Sequence, residues 1–257
     1  MLIYFSSEDI LMLDTKKLMA GWNFRHHSAS NSILLPYQIY LPRSYNTSKK
    51  YPVFLYMHGM GSVGCDGNHI NQSVARILNN ITSSDKYKDD VIIIAPQSPK
   101  GQKWVEVDYT KGIYSFDELV MTSYLEAAKE LFDCAINSLP IDTDRIYGYG
   151  NSMGAFATVC LAMKFPEFYT AIVPVAGGYD PEKAELIRDL PIWIFHGDSD
   201  RTVPIIAAER LVHNLRLIGS HNVNYTVFEG VGHHAQHCFV AAADTHGLLD
   251  WIFSKQK

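Results

Sequence analysis

A serine flanked by two glycines stands at residues 150–154, in the order Gly-Asn-Ser-Met-Gly, directly after the apolar run 145–149. An apolar helix is predicted to follow it over residues 153–164. This order matches the nucleophile elbow, a tight strand-to-helix turn in which the glycines leave room for the serine hydroxyl to project from the top of a sheet. The five letters alone occur by chance in about one chain in ten of this length, and an ordinary glycine-rich turn is the alternative. The position between strand and helix therefore makes Ser152 the candidate nucleophile.

A serine hydroxyl becomes a nucleophile when an imidazole takes its proton and a carboxylate holds that imidazole in one tautomer. Two aspartates, Asp198 and Asp200, follow the apolar run 192–195 in the loop 196–204. Loops at the carboxyl ends of strands are where catalytic groups collect in open α/β sheets. Either aspartate could be the acid. Asp200 is preferred, because Asp198 is suited to bond nearby backbone amides in a turn.

The candidate base follows the last apolar run, residues 225–228, where two histidines come directly after a glycine-rich turn. His233 is preferred because it follows the flexible Gly232, and His234 is the alternative. A surface histidine without a role is a further alternative in a chain with 11 histidines. His233 and His237 also have the spacing of a helical metal pair, but the glutamate of a His-Glu-x-x-His site is missing. No metal and no organic cofactor are predicted.

Attack on a carbonyl creates an oxyanion, which requires two backbone N–H donors fixed in advance. One donor is expected from Met153, directly after the nucleophile. The other is expected from a loop after an early strand, where the sequence His58-Gly59-Met60-Gly61 follows the apolar run 53–57. The Met60 amide is the best candidate, and a plain glycine turn is the alternative.

Strands and helices alternate along the chain in the order needed to place these loops together. One helix is predicted to begin near Ser115, where Glu118 completes a capping box, and to end before Pro140. Other helices are predicted over residues 153–164, 205 to about 218 and 239–253. Because most predicted strands are apolar throughout, we expect an α/β fold with a mostly parallel sheet of about eight strands and helices on both faces. The strand at 37–41 alternates and is expected to pair antiparallel at an edge, and residues 1–30 receive no assignment. The predicted strands are 37–41, 53–57, 91–95, 145–149, 171–175, 192–195 and 225–228.

Composition restricts the remaining possibilities. The chain has 257 residues, 47% of them apolar and 19% charged, which predicts one globular domain over residues 1–257. The net charge of −5 comes with scattered lysines and arginines, so neither nucleic acid nor a membrane surface is an expected partner. The apolar start at residues 1–5 has no basic flank and no cleavage site, so it does not predict a signal peptide.

The cysteines are far apart and form no Cys-x-x-Cys pair, which predicts four reduced thiols rather than a zinc or redox site. Together with the missing signal, they favour a cytoplasmic location, although a chain from which a leader had been removed would have the same sequence. They are Cys65, Cys134, Cys160 and Cys238.

The chain resembles the putative-esterase, or phospholipase/carboxylesterase-like, family of the α/β-hydrolases, which is related to feruloyl esterases and to the catalytic domains of prolyl oligopeptidases. The resemblance covers about residues 33–254 in order, and implies the α/β-hydrolase fold. It also implies Ser152 as nucleophile, Asp200 as acid and His233 as base, with Met60 and Met153 as oxyanion donors. The stretches that carry it are Tyr40 to Pro42, Tyr51 to Gly59, Ala95 to Gln97, Trp104, Asp142 to Tyr147, Gly150 to Gly154, Val173 to Gly178, His196 to Pro204 and Gly230 to His233.

The chain differs from the usual pattern of that family in three features. Ala155 replaces a second glycine after the elbow, Ser62-Val63 replace a charged Glu-Arg pair in the oxyanion loop, and Gln236 replaces a tryptophan three residues after the histidine. These differences concern the substrate more than the reaction.

Aromatic residues in the segment between the third strand and the capped helix suggest a substrate pocket. Trp104, Tyr109 and Tyr114 could form walls for an aromatic or short acyl group, and simple packing is the alternative. Trp104 and Gln97 are expected to bind substrate. The expected function is serine-dependent hydrolysis of a small, short-acyl or aromatic (feruloyl-type) ester. The alternatives are a prolyl oligopeptidase-like peptidase, for which the chain has no room for the gating propeller, and a non-catalytic binding protein.

Overall fold

The computed structural model describes residues 13, 18–234 and 237–257, so the apolar start at residues 1–5 and Gln236 lie outside the described residues. Eight strands form one sheet in the order β1-β2-β4-β3-β7-β8-β9-β10, and β5 and β6 form a separate two-stranded ribbon. The strands are β1 Gly21–Ser28, β2 Leu34–Leu41, β3 Tyr51–Met57, β4 Ile92–Pro96, β5 Val105–Glu106, β6 Val120–Met121, β7 Ile141–Asn151, β8 Ala171–Val175, β9 Ile192–Gly197 and β10 Val223–Phe228.

The predicted sheet is confirmed. Strands β4, β3, β7, β8, β9 and β10 pair parallel to one another, and β1 and β2 add two antiparallel strands at one side. One expectation was wrong, since the strand at 37–41 is not at the edge. Strand β1, in the region left without assignment, pairs with all eight residues of β2 and covers it.

Helices cover both faces of the sheet. Strand β3 requires cover on both sides, because all seven of its residues are buried and successive side chains point to opposite faces. Val53 and Leu55 pack in the core with α2, α3 and α4, whereas Phe54 and Tyr56 pack in a second core with α1, α5 and α6. The helices are α1 Arg76–Ser83, α2 Ser123–Ser138, α3 Met153–Lys164, α4 Ile206–Leu217, α5 Cys238–Ala243 and α6 Leu248–Phe253.

The predicted start of the long helix at Ser115 is wrong by eight residues. Helix α2 begins at Ser123, and Thr122 is its cap, accepting a hydrogen bond from the Leu125 amide at 3.3 Å. Ser115 instead opens an isolated turn, and the amide of the next residue, Phe116, donates to the distant Asp180 carboxylate at 2.7 Å. Strand β6 of the two-stranded ribbon then separates this turn from the helix.

The predicted helix over 239–253 is two short helices. Gly247 adopts a φ of +79°, a left-handed conformation that an α-helix does not contain, and α6 starts directly after it. Among the described residues, none of the helices has the length and apolarity needed to cross a lipid bilayer. All four cysteines are free thiols, and only Cys65 is exposed.

Candidate active site

The turn between β7 and α3 holds Ser152 in a strained conformation. Its φ is +52° and its ψ is −118°, and its amide donates to the Val175 carbonyl of β8 at 2.8 Å. A Cβ at Gly154 would lie 2.0 Å from the Met57 carbonyl oxygen, and one at Gly150 would lie 2.1 Å from the Gly154 oxygen. The two glycines therefore let α3 start against β3, and this close approach turns the serine outward.

Ser152, His233 and Asp200 form a chain of hydrogen bonds. His233 Nδ1 lies 2.6 Å from Asp200 Oδ2, and His233 Nε2 lies 2.8 Å from Ser152 Oγ. Because a carboxylate only accepts, Nδ1 carries the proton and Nε2 is left to accept from the serine hydroxyl. The ring of Phe239 packs edge-on against the imidazole, with ring centres 5.5 Å apart. These contacts give the imidazole one tautomer and one orientation.

Asp200 is held as an anion by donors on every side. Its Oδ1 accepts from the amides of Thr202 and Val203, both at 2.9 Å, while His196 Nε2 lies 3.4 Å from the same Oδ2 that His233 contacts. Burial of the carboxyl disfavours its charge. The nearby N–H of His196, which donates to the Val203 carbonyl at 2.9 Å, and the hydrogen bond and attraction of His233 outweigh burial. They hold the pKa of Asp200 far below its ordinary value.

The alternatives from the sequence have other environments. The Asp198 side chain is exposed, and its Oδ1 accepts from the Ser199 hydroxyl at 3.0 Å and from the Gly230 amide at 2.8 Å. His234 lines the same cavity as Ser152, and its ring centre is 6.1 Å from that of His237. The Ser152 Oγ bond is made by His233. Among the described residues, no group of three or more His, Cys, Asp or Glu is placed to hold a metal ion.

The two expected oxyanion donors lie beside the serine. Met60 and Met153 both line the cavity that Ser152 opens into. A Cβ on Gly59 would be 3.1 Å from the Asn151 carbonyl oxygen and 3.4 Å from the Ser152 Cβ, so the early loop passes directly against the elbow. Met60 begins a short 3₁₀ turn that ends at Ser62.

His58 fixes the peptide that contains the Met60 amide. The Ser98 amide donates to His58 Nε2 at 2.9 Å, so the proton is on Nδ1, which donates to the Gly59 carbonyl at 2.8 Å. A trans peptide points its N–H opposite its C=O, and the Met60 N–H therefore points away from His58. Complete burial lowers the pKa of His58 to about 4, which keeps this imidazole neutral. The predicted oxyanion-loop motif contains His58, but no role was predicted for this side chain.

Gln97 and Trp104 do not line the cavity, contrary to the expectation that they bind substrate. Gln97 is buried, and its amide joins the Ser62 carbonyl and Asp66 on one side to the Gly67 amide on the other. Trp104 is fully buried and donates its indole N–H to the His58 carbonyl at 3.2 Å. Both side chains hold the loop that follows β3.

The cavity at Ser152 has a volume of about 540 Å³ and a mainly apolar lining. Of the three aromatic residues proposed as its walls, Tyr109 lines it, whereas Trp104 and Tyr114 are buried in the core. No Lys, Arg, Asp or Glu is among the lining residues that the structure describes. Gln72 and Phe239 also line it, and neither was predicted from the sequence because neither belongs to a motif.

The structure accounts for one of the three differences from the usual family pattern. The Ala155 methyl fits because the residue opposite is Gly177, on which a Cβ would approach the Ala155 Cβ to 2.6 Å. At the second difference, the Ser62 hydroxyl donates to Gln72 Oε1 at 2.5 Å. The third, Gln236, is outside the described part of the chain.

Comparison with known proteins places these elements in a family. The family model described as "putative esterase" matches residues 34–239, and no curated protein matches the chain. A solved structure titled as a thermostable esterase is 26% identical with a TM-score of 0.79, covering 92% of this chain. The chain spans 63% of the length of that esterase.

More distant structures share the fold. A ferulic acid esterase is 14% identical with a TM-score of 0.67, covering 93% of this chain and 99% of its own. A putative dipeptidyl aminopeptidase IV from Bacteroides ovatus ATCC 8483 is 16% identical with a TM-score of 0.61, covering 92% of this chain and 36% of its own. The family match, the α/β-hydrolase sheet and the structural neighbours agree that this chain belongs to the putative esterase family.

Proposed function

We propose that the protein is a serine carboxylic-ester hydrolase that acts through an acyl-serine intermediate. The observation that carries this proposal is the continuous hydrogen-bond chain from Ser152 Oγ through His233 to Asp200 Oδ2, with the serine opening into a cavity. A hydroxyl, an imidazole and a buried carboxylate in this order are the parts of a nucleophilic triad.

In the proposed acylation, these atoms act in sequence. His233 Nε2 takes the Ser152 proton as Oγ attacks the ester carbonyl carbon, and the carbonyl electron pair moves to oxygen. The amides of Met60 and Met153 donate to that oxyanion. The oxyanion pair then re-forms the carbonyl as the C–O bond to the alcohol breaks, and the protonated His233 gives its proton to the leaving alkoxide oxygen. The acyl group stays on Ser152.

Deacylation repeats these steps with water. His233 Nε2 takes a proton from a water molecule whose oxygen attacks the acyl carbon, and the same two amides hold the second oxyanion. Collapse of the intermediate releases the acid, and the proton returns from His233 to Ser152 Oγ. Asp200 remains a carboxylate throughout, which its strongly lowered pKa supports.

The cavity supports a proposal for the substrate class. Its mainly apolar lining, which has no Lys, Arg, Asp or Glu among the described residues, favours neutral esters. Its volume of about 540 Å³ favours a short acyl or single-ring aromatic acid. Tyr109 and Phe239 supply aromatic surface for such a ring. The fold shared with a ferulic acid esterase supports testing feruloyl esters first, although that likeness extends to the fold alone.

The test is a panel of 4-nitrophenyl esters of rising chain length, methyl ferulate and acetylated sugars. Ser152→Ala should lose at least ~10³ in kcat, and a fluorophosphonate probe should label the wild type and not the variant. Ser199→Ala, which removes an exposed hydroxyl from the Asp200 loop, is the matched serine control.

Three outcomes would contradict the proposal. Undiminished hydrolysis by Ser152→Ala would remove Ser152 as the nucleophile. Faster cleavage of peptide anilides than of the matching esters would favour the peptidase alternative. Failure of the probe to label the wild type, with a known serine esterase labelled in parallel, would favour a non-catalytic binding protein.

A further inference from the structure

A glutamine that lines the cavity is hydrogen-bonded to the oxyanion loop. Gln72 lies in an extended conformation, φ −77° and ψ 151°, between the 3₁₀ turns Asn68–Asn71 and Ser73–Ala75. Its Oε1 accepts from the Ser62 hydroxyl at 2.5 Å. Two residues further on, the Val74 carbonyl accepts from Asn151 Nδ2 at 2.8 Å, next to the nucleophile. Gln72 is therefore held close to both halves of the oxyanion site.

The other end of the Gln72 amide has a free donor. Within the part of the chain that the structure describes, Oε1 is engaged with Ser62, and the Nε2 of this half-buried side chain has no hydrogen-bond partner. The side chain lines the same cavity as Ser152. A primary amide whose oxygen is engaged presents two N–H bonds, which bind an acceptor oxygen in a substrate.

We propose that Ser62 and Gln72 form a polar subsite in which Gln72 Nε2 donates to an ether, hydroxyl or second carbonyl oxygen of a neutral ester. The subsite selects oxygen-bearing esters over purely alkyl ones of the same size. The Ser62 hydroxyl holds the amide with its N–H bonds toward the cavity. This inference rests on the proposed ester hydrolysis and names a substrate class for it.

The charges around the subsite support a neutral ligand. No Lys, Arg, Asp or Glu is among the described lining residues, so a charged group would lose water without gaining an ion pair with such a side chain. An ether or hydroxyl oxygen needs only the one donor that Gln72 offers. A methylene in the same place would leave that donor unpaired, and this difference creates the preference.

The test uses ester pairs that differ by one oxygen in place of a methylene. On the acyl side the pair is 4-nitrophenyl 3-methoxypropanoate and 4-nitrophenyl pentanoate, and on the alcohol side it is 2-methoxyethyl acetate and butyl acetate. The readout is the ratio of kcat/KM within each pair, which cancels general damage to the catalyst. Gln72→Leu should lower the ratio roughly threefold to tenfold in at least one pair, the loss of one neutral hydrogen bond.

Gln72→Glu separates binding from loop positioning. A glutamate keeps the oxygen that accepts from Ser62 but removes the N–H donor, so the ratio should fall at least as far as in Gln72→Leu. Asn71→Leu makes the same amide-to-leucine change at the exposed neighbouring residue and should leave the ratios unchanged.

Each result decides the question. A fall in both Gln72 variants supports the subsite, and the pair that responds shows which side of the ester it contacts. Unchanged ratios in both pairs, or a fall in Gln72→Leu without one in Gln72→Glu, overturn it while Ser152-dependent hydrolysis still supports the proposed function. Absence of Ser152-dependent hydrolysis in every pair would overturn both.

Discussion

Two aspartates in one short loop show how environment separates residues that the sequence leaves equivalent. Asp200 is buried and accepts from two backbone amides and the His233 imidazole, whereas Asp198 is exposed and ties its loop to the Gly230 amide. The choice of Asp200 stays a prediction about catalysis. The geometry supports this choice because a carboxylate buried away from water can hold an imidazole in one orientation.

Asp200→Asn should lower kcat by about 10³ to 10⁴ with little change in fold. The asparagine NH₂ would face His233 Nδ1, so the proton would move to Nε2 and the imidazole could not accept from Ser152. Asp198→Asn is the matched control and should stay within about tenfold of wild type. Comparable losses in the two variants, measured on one 4-nitrophenyl ester, would leave Asp200 without the assigned role.

At the scale of elements, the sequence predicted best what is determined locally. The predicted strands and the predicted start of α3 were correct, because burial on both faces and glycine spacing produce patterns within a few consecutive residues. The start of α2 failed because the turn at Ser115 is completed by Asp180, 64 residues away in sequence. The prediction that Gln97 binds substrate was wrong for the same reason, since no local pattern reveals that its amide joins three loop groups.

The elbow requires glycine at the point where α3 meets β3. Gly154→Ala would place a Cβ 2.0 Å from the Met57 carbonyl oxygen, and because both partners are backbone, the helix and strand must separate. We expect a loss of about 1–3 kcal/mol in the free energy of unfolding. Activity should fall as well, because the Met153 amide moves with the helix.

Gly61→Ala is the control for stability, since a Cβ there meets nothing within 4 Å. Urea unfolding at a fixed pH measures both variants. If Gly154→Ala unfolds at the same urea concentration as Gly61→Ala, the close approach of helix and strand does not restrict residue 154 to glycine.

At the scale of the whole molecule, the strand order brings the loops together. The loop after β3 lies beside the elbow because β3 and β7 are neighbours, and the loops after β9 and β10 meet because those strands pair in register. The order of the strands and loops along the chain predicted that these loops meet at one edge of the sheet. It could not predict that the loop after β3 would be stabilised by two buried imidazoles, His58 and His69, with ring centres 5.5 Å apart.

These two imidazoles make the fold sensitive to acid. Burial lowers the pKa of His58 to about 4, and burial, together with repulsion from His58, lowers the pKa of His69 to about 3. An unfolded histidine takes up its proton near pH 6.5, so on acidification the unfolded state binds protons first. Their contribution to stability is therefore complete above about pH 6.5 and is lost progressively as the pH falls toward 4 and below.

Between about pH 6 and pH 4.5, His69 alone should lower the free energy of unfolding by about 1.4 kcal/mol for each unit by which the pH falls. His69→Gln keeps an N–H donor for the Ala95 carbonyl, which His69 Nε2 contacts at 3.2 Å, but removes the titration. The variant should therefore show a correspondingly shallower pH dependence in urea unfolding, whatever its stability at neutral pH. His221→Gln, at an exposed position, should keep the wild-type slope. Identical slopes for all three proteins would mean that His69 takes up its proton in the folded state as readily as in the unfolded chain.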